Sequence, residues 1–214
     1  MRIVVLGSST AFGNGASPIN LSWVNLLQSK LIEDEKDAIV INLALGGYST
    51  YEAMPNGFEP PSSRPFPDES RNITKALSYH PNLILINFPT NDIAYNYSDN
   101  EILGNFSKMT NEMDSLNISY VIFSLHPRNF TDASTRSRLR SLNDKLKKIY
   151  TNKINDYYNI LSTPFNTLKS EYDSGDGAHV NNAGHDVIFQ SIILNRLFIK
   201  KMGYSYGEII TDRL

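Results

Sequence analysis

The sequence MRIVVLGSSTAFG, residues 1–13, decides the fold. Ile3-Val4-Val5-Leu6 is an uninterrupted apolar run, which is typical of a strand buried on both faces of a parallel sheet. Small and hydroxylated residues follow directly, at the place where open parallel sheets bind their ligands. The segment therefore predicts a buried strand with a functional loop at its carboxyl end.

Similar apolar runs recur along the chain and alternate with longer segments of helical periodicity. We predict further strands at 38–43, 83–88, 120–125 and 159–162. Strands that alternate with helices indicate a parallel sheet covered on both faces. The sequence thus predicts an α/β fold, a doubly wound, flavodoxin-like sheet of five parallel strands with helices on both sides.

The helical segments carry recognisable start and stop signals. Apolar spacing predicts helices at 23–32 and 132–155, and a capping box at Ser98 opens another that runs to about residue 116. A last helix is expected at 183–201, capped by Asn181-Asn182 and ended by Gly203. Five prolines in residues 55–67 predict a surface loop, and residues 203–214 are expected to form a C-terminal tail.

Length and composition exclude several classes of protein. With 214 residues the chain fits a single domain, 1–214, because cores divide only beyond roughly 250 residues. A net charge of −2 provides no positive electrostatic field to attract the phosphate backbone of nucleic acid. The absence of cysteine excludes disulfides and cysteine nucleophiles. No apolar run is long enough to span a membrane. We expect a cytoplasmic protein if Met1 is the native start, and a secreted or periplasmic one if a leader was removed. The sequence does not indicate the oligomeric state.

Polar segments stand where the predicted strands end. They are GSSTAFG at 7–13, ALGGYS at 44–49 and PTND at 89–92, and DGAH at 176–179 precedes the last helix. Taken singly, each is typical of a turn or a helix cap. Because parallel strands end at one edge of the sheet, we expect the segments to meet there.

In this order the four segments resemble the sequence blocks of the SGNH hydrolases, also called the GDSL esterase and lipase family. The resemblance extends from Gly7 to Gly184 and agrees with the five-stranded fold. It implies that Ser9 is the nucleophile. It also implies that the oxyanion hole consists of Ser9, the backbone N–H of Gly47 and the side-chain amide of Asn91.

The last block implies a histidine base, His179, oriented by Asp176. A serine hydroxyl is a poor nucleophile until an imidazole takes its proton, and a carboxylate fixes the tautomer of that imidazole. The resemblance therefore implies a serine ester hydrolase that works through an acyl-enzyme, without metal or other cofactor. His179 and His185 with Asp176 suggest a metal site less well, since no third well-spaced histidine follows.

Three positions depart from the family pattern. Ser8 stands where an aspartate usually precedes the nucleophile, Pro89 replaces a glycine of the third block, and Ala44 replaces a glycine of the second. Ser8 and Ser9 both offer a hydroxyl, and the spacing to Gly13 favours Ser9. These changes weaken inference about the substrate more than inference about the mechanism.

Aromatic and cationic residues follow the polar segments and are expected to line the substrate rim. They are Phe58, Arg64, Phe66, Tyr95, Tyr97, His126 and Arg128. Flat amphipathic rings suit a sugar better than a long alkyl chain, so we expect a short-acyl (acetyl) carbohydrate esterase acting on a small-molecule or glycan ester. For His126 a simple structural hydrogen bond is an equal expectation.

Other functions stay open at this point. Within the same chemistry, the alternative is a broad lipase-like esterase or thioesterase. Outside it, a Ser/Thr/Gly-rich loop after the first strand is also typical of a flavodoxin-like module that binds phosphate or FMN. A pseudoenzyme that keeps the pocket to bind glycans is a third interpretation.

Overall fold

The computed structural model describes residues 1–88 and 90–205, and these residues form one parallel sheet. Its strands are β1 (Arg2–Gly7), β2 (Ile39–Asn42), β3 (Leu83–Asn87), β4 (Ser119–Phe123) and β5 (Ile154–Asn155), in the spatial order β2-β1-β3-β4-β5. The predicted α/β fold is confirmed. Strand β2 pairs with one edge of β1 and β3 pairs with the other, so the direction in which strands are added reverses at β1. Ligands of doubly wound sheets bind at such a switch point.

Helices cover both faces of the sheet. In chain order they are α1 (Ser9–Phe12), α2 (Trp23–Glu33), α3 (Ile73–Ser78), α4 (Asn91–Ala94), α5 (Asp99–Ser115), α6 (Ala133–Ile149), α7 (Tyr158–Leu161), α8 (Asn182–Ile193) and α9 (Arg196–Met202), with 3-10 turns at Ile19–Leu21 and Ser170–Tyr172. Helices α2, α8 and α9 pack on one face, whereas α3, α5 and α6 pack on the other.

The central strand explains the two cores. Successive side chains of a strand point to opposite faces, so Ile3 and Val5 join one apolar cluster and Val4 and Leu6 join the other. All four side chains are fully buried. Burial of each stabilises the fold by about 1.5–3 kcal/mol, which explains why residues 3–6 are all apolar.

The predicted fifth strand was wrong. Residues 159–162 do not pair with the sheet, and most of them belong to α7, whose Tyr158 and Leu161 are buried at the spacing of one helical turn. The observed β5 is two residues long, and it pairs Ile154 with Ile122 and Asn155 with Phe123.

The two longest predicted helices were wrong at their ends. Helix α6 begins after its cap Asp132 as predicted, but it ends at Ile149 because residues 154–155 pair with β4. The predicted last helix is two helices. Asn195 separates them, since its side chain accepts the N–H groups of Leu197 and Phe198 and donates to the Ile154 carbonyl at 3.0 Å.

The other predicted elements lie close to their predicted positions. Helix α2 begins at residue 23, the capping box at Ser98 opens α5, and residues 55–67 form neither helix nor strand. Gly203 ends α9 with a φ of 68°. The single-domain assignment over 1–214 stays a prediction, and the predicted tail lies outside the described residues from 206 onward. In the described ranges, no helix has the length and apolar character needed to cross a membrane.

Candidate active site

A sharp turn at the end of β1 presents Ser9. The strand ends at Gly7, and α1 begins two residues later with Ser9 at its first position. A Cβ on Gly7 would lie 2.5 Å from the carbonyl oxygen of Asn87 and 2.7 Å from the Cβ of Ala11, so only glycine fits this close approach. Gly13 ends α1 with a φ of 111°, in the left-handed region that glycine favours. The two glycines of the first block therefore shape the turn that carries Ser9.

Ser9, His179 and Asp176 form a hydrogen-bonded chain. The Ser9 Oγ lies 2.9 Å from His179 Nε2, and His179 Nδ1 lies 2.5 Å from Asp176 Oδ2. The carboxylate can only accept, so Nδ1 carries the proton and Nε2 accepts from the serine hydroxyl. Ser8 is fully buried, and its hydroxyl contacts no hydrogen-bond partner within residues 1–88 and 90–205. Of the two adjacent serines, the histidine contacts Ser9.

Asp176 is held in its ionised form by the loop around it. Its Oδ1 accepts the backbone N–H groups of Ala178 and His179, each at 2.8 Å. Partial burial alone would raise the pKa of the Asp176 carboxyl, but these hydrogen bonds and the one from the His179 ring hold the pKa well below its usual range. A permanent carboxylate beside Nδ1 stabilises a positive charge on the imidazole ring.

The segments that follow β2 and β3 meet beside the hydrogen-bonded Ser9, His179 and Asp176. Asn91 is the first residue of α4, and one N–H of its side-chain amide donates to the carbonyl of Tyr48 at 2.8 Å. Gly47 is exposed, with a φ of 86°, and its carbonyl accepts the hydroxyl of Tyr95 at 2.9 Å. A Cβ on Gly46 would lie 3.9 Å from the Cβ of Ser9, a proximity that sequence reasoning did not identify.

Comparison with known proteins identifies the family. A family model described as the GDSL-like Lipase/Acylhydrolase family matches residues 5–187. The chain belongs to this family. No curated protein sequence matches the chain. A catalytic triad and an oxyanion hole are typical of GDSL hydrolases, which agrees with the groups assembled at this edge of the sheet.

Solved structures with the same fold include several hydrolases. The chain is similar to the psychrotrophic esterase EstA from Pseudoalteromonas sp., inhibited by monoethylphosphonate, at 18% identity over 94% of this chain and 97% of that chain, with a TM-score of 0.68. It is similar to TesA at 14% identity over 94% of this chain and 99% of that chain, with a TM-score of 0.70. It is similar to the acetyl xylan esterase AlAXEase at 13% identity over 90% of this chain and 98% of that chain, with a TM-score of 0.68. At these identities the likeness establishes the shared fold.

A buried carboxyl joins two loops of this GDSL hydrolase. Both carboxyl oxygens of Asp92 lie 3.1 Å from the backbone N–H of Thr50, and the Thr50 hydroxyl donates to one of them at 2.5 Å. Asn105 supports the contact by donating to the same hydroxyl at 2.8 Å. Burial raises the pKa of Asp92 to about 6, although the hydrogen bonds from Thr50 oppose the rise. Sequence reasoning missed this contact, because it depends on residues 42 positions apart.

The predicted rim is only partly exposed. Phe66 and Tyr95 are 66% and 49% exposed, whereas Tyr97 and His126, at 6% and 1%, are buried and do not form an exposed rim. The buried pair was therefore assigned wrongly. For His126 the simpler expectation holds, since its Nε2 donates to the Ala178 carbonyl at 2.7 Å.

The remaining three rim residues have partners of their own. Phe58 is half-buried beside Tyr51, with 6.2 Å between the ring centroids. Arg64 donates to Glu101 at 2.7 Å and covers the ring of Tyr97 at 4.1 Å. Arg128, half-buried, lies 5.1 Å from the ring centroid of Phe130. Of the predicted rim residues, Tyr95 is the exposed aromatic one that contacts Gly47.

His185 is a packing residue in the described structure. It is fully buried; its Nδ1 accepts the backbone N–H of Trp23 at 3.4 Å and its Nε2 donates to the Asn14 carbonyl at 3.0 Å. Both ring nitrogens are therefore satisfied in the neutral form, and burial lowers the pKa of His185 to about 4. Within the described ranges, no group of three or more His, Cys, Asp or Glu side chains is arranged to hold a metal ion.

We expect His185 to weaken the fold in acid. Its pKa is about 4 in the folded chain against an ordinary 6.5, so its stabilising contribution is complete above pH 6.5 and is lost as the pH falls towards 4. His185→Gln removes this contribution. Between pH 7 and 4.5, the free energy of unfolding should decrease more in the wild type than in the variant, by on the order of 2 kcal/mol in urea titrations.

The comparison with the variant is needed because Asp92 acts in the opposite direction. Its raised pKa favours the folded state as the pH falls through about 6. Asp92 is present in both proteins, so its effect cancels in the difference. Equal pH dependences of the two proteins would contradict the role given to His185.

Proposed function

We propose that the chain is a serine ester hydrolase that works through an acyl-enzyme, with Ser9 as nucleophile, His179 as base and Asp176 as the residue that orients the base. One observation carries the proposal: the Ser9 hydroxyl is 2.9 Å from an imidazole nitrogen whose other nitrogen is bound to a carboxylate. A flavin- or phosphate-binding module has no need of this arrangement.

The first half of the reaction acylates Ser9. His179 Nε2 takes the hydroxyl proton as Oγ attacks the ester carbonyl carbon, and the carbonyl π electrons move to oxygen. The tetrahedral intermediate collapses, the bond to the alcohol oxygen breaks, and the imidazolium gives its proton to the leaving alcohol. Asp176 stabilises the imidazolium throughout, because its carboxylate stays ionised.

The second half repeats these steps with water. His179 takes a proton from a water molecule, whose oxygen attacks the acyl carbon, and returns the proton to Ser9 Oγ as the acid leaves. The protonated imidazole of each step is neutralised in the next. The cycle is balanced without a metal or an organic cofactor.

Three donors are available for the oxyanion. The N–H of Ser9 stands in the first turn of α1, where backbone N–H groups have no partner within the helix. The Asn91 amide has a second N–H beyond the one bound to Tyr48, and Gly47 contributes a backbone N–H from an exposed loop. Donors preorganised in this way stabilise the charge that develops on the carbonyl oxygen.

For the substrate, we favour a short-acyl ester of a carbohydrate. The Tyr95 ring is half-exposed, and its hydroxyl is tied to the carbonyl of Gly47, so the ring offers a fixed flat surface beside a proposed oxyanion donor. Amphipathic rings of this kind suit the face of a sugar. An acetyl xylan esterase is among the hydrolases that share this fold.

Ser9→Ala should abolish most of the activity. We expect kcat for 4-nitrophenyl acetate to decrease by about 10⁴-fold or more, because Ser9 supplies the hydroxyl that contacts His179 Nε2. Ser8→Ala is the matched control and should retain most of the rate. A fluorophosphonate probe, read by mass spectrometry, should label Ser9 in the wild type.

A Ser9→Ala variant that keeps the wild-type rate, together with a Ser8→Ala variant that loses it, would exclude Ser9 as nucleophile. An inert wild type that the probe does not label would instead favour a pseudoenzyme that binds glycans.

Asn91→Ala should slow the reaction without unfolding the protein. Loss of one oxyanion donor typically costs roughly 10²- to 10³-fold in kcat, and we expect that decrease with a nearly unchanged KM. Asn100→Ala, an exposed asparagine of α5, is the control for substitution as such. Circular dichroism checks the fold, and an Asn91→Ala variant with wild-type kcat would remove Asn91 from the oxyanion hole.

A substrate panel tests the preference for short acyl groups on sugars. We expect rates to fall from 4-nitrophenyl acetate to 4-nitrophenyl decanoate, and acetate to be released from acetylated xylan. Tyr95→Ala should raise KM for acetylated xylo-oligosaccharides by roughly tenfold, because one stacking surface is lost. KM for ethyl acetate, which has no ring to stack, should change little.

Preference for decanoate or for acyl thioesters would replace the sugar proposal by a lipase-like esterase or a thioesterase. The serine mechanism would stand in either case, because the Ser9 variants test it separately.

A further inference from the structure

The loop that carries Asp176 and His179 has little regular structure of its own. Residues 175–179 form bends between Asp173 and Val180, which make an isolated antiparallel bridge. Within the loop, the N–H of Ser174 donates to the carbonyl of His179 at 3.0 Å. A loop of this kind needs contacts from elsewhere to hold a side chain in one place.

The segment after β4 supplies these contacts. The imidazole Nε2 of His126 donates to the carbonyl of Ala178 at 2.7 Å, and the backbone N–H of Asn129 donates to the carbonyl of Gly177, also at 2.7 Å. Two consecutive carbonyls between Asp176 and His179 are thus fixed by one segment, 126–129. We call this segment the β4 clamp.

Asn129 packs the clamp tightly against the loop. Its side chain accepts the N–H of Leu168 at 2.8 Å and donates to Asp173 at 3.0 Å. A Cβ on Gly177 would lie 2.9 Å from the Cβ of Asn129, so the glycine allows the two backbones to approach. The clamp therefore contacts the loop at its base and at its centre.

His126 differs from an ordinary buried histidine. It is 1% exposed, and its Nδ1 contacts no hydrogen-bond partner in the part of the chain that the structure describes. A bond to a carbonyl requires the proton on Nε2, and burial lowers the pKa of His126 to about 4, so the ring is neutral near pH 7. An unpaired buried nitrogen costs free energy. By contrast, both ring nitrogens of His185 have partners.

We propose that His126 is a positioning residue for the acid–base loop: its hydrogen bond to the Ala178 carbonyl keeps the His179 imidazole in line with the Ser9 hydroxyl. The proposal rests on the proposed function, in which that alignment sets the rate. His126 does not touch the reacting atoms, and it acts through the backbone between Asp176 and His179. A small displacement of a catalytic group is sufficient to lower a rate strongly.

His126→Leu removes the donor and keeps an apolar side chain, whereas His126→Gln keeps an N–H at similar reach. For His126→Leu we expect kcat for 4-nitrophenyl acetate to decrease by roughly 10- to 100-fold with KM unchanged within about twofold, and His126→Gln should recover most of the rate. Leu31→Ala, which removes buried side-chain volume from α2, is the control for lost stability alone. It should lower Tm and leave kcat unchanged well below that temperature.

Proton NMR separates this proposal from the proposed function. The proton between His179 Nδ1 and Asp176 should give a far-downfield signal in the wild type, in His126→Gln and in Leu31→Ala. The signal should broaden or vanish in His126→Leu. This readout needs no substrate, so a wild type that shows the signal but hydrolyses no ester would refute the esterase and leave the positioning role intact.

Two results would overturn the positioning role. One is a His126→Leu variant that loses stability but keeps both the wild-type kcat and the downfield signal. The other concerns the wild type alone and applies even if His126→Leu fails to fold: nitrogen-15 NMR that places the proton of the His126 ring on Nδ1 would show that the bond to Ala178 does not exist.

Discussion

The hydrogen bond between the Ser9 hydroxyl and the His179 imidazole joins residues 170 positions apart, and the rest of the site depends on that closure. It forms because Ser9 follows the carboxyl end of β1 and the loop that precedes α8 reaches the same edge of the sheet. Parallel pairing with β3 brings Asn91 to that edge as well. The proposed chemistry therefore requires a correctly ordered sheet before it requires any individual catalytic group.

Much of this arrangement was predictable from the sequence. The runs in β1, β3 and β4 are apolar because these strands are buried on both faces, and such runs are readable without a structure. Strand β2 lies at the edge of the sheet and is only partly buried, so its apolar run overstates its burial. The capping box at Ser98 and the glycine at 203 mark helix ends by local chemistry. Ser9, Asp176 and His179 were identified from blocks that each make sense beside a strand or a helix, and the structure brings the three together.

What escaped prediction has no local signature. A strand of two residues, Ile154–Asn155, exists because Ile122 and Phe123 offer it a partner. Asn195 divides the last helix by a side-chain bond to a distant carbonyl as well as by its cap. His126 carried too little local information to show that it is buried beneath residues 176–179, 52 positions away from its partner at 178.

Helix α4 has only four residues, yet this helix and Tyr95 after it make three hydrogen-bonded contacts to the loop that follows β2. Asn91 contacts Tyr48, Asp92 contacts Thr50, and Tyr95 contacts Gly47. The segments 47–50 and 91–95 are thus coupled by three side-chain contacts. For protein engineering this means that the two segments should be moved together, and with them Asn105, which bonds to the Thr50 hydroxyl. Grafting either segment alone onto another scaffold would leave its polar groups without their hydrogen-bond partners. Moving both together would preserve the contacts between them.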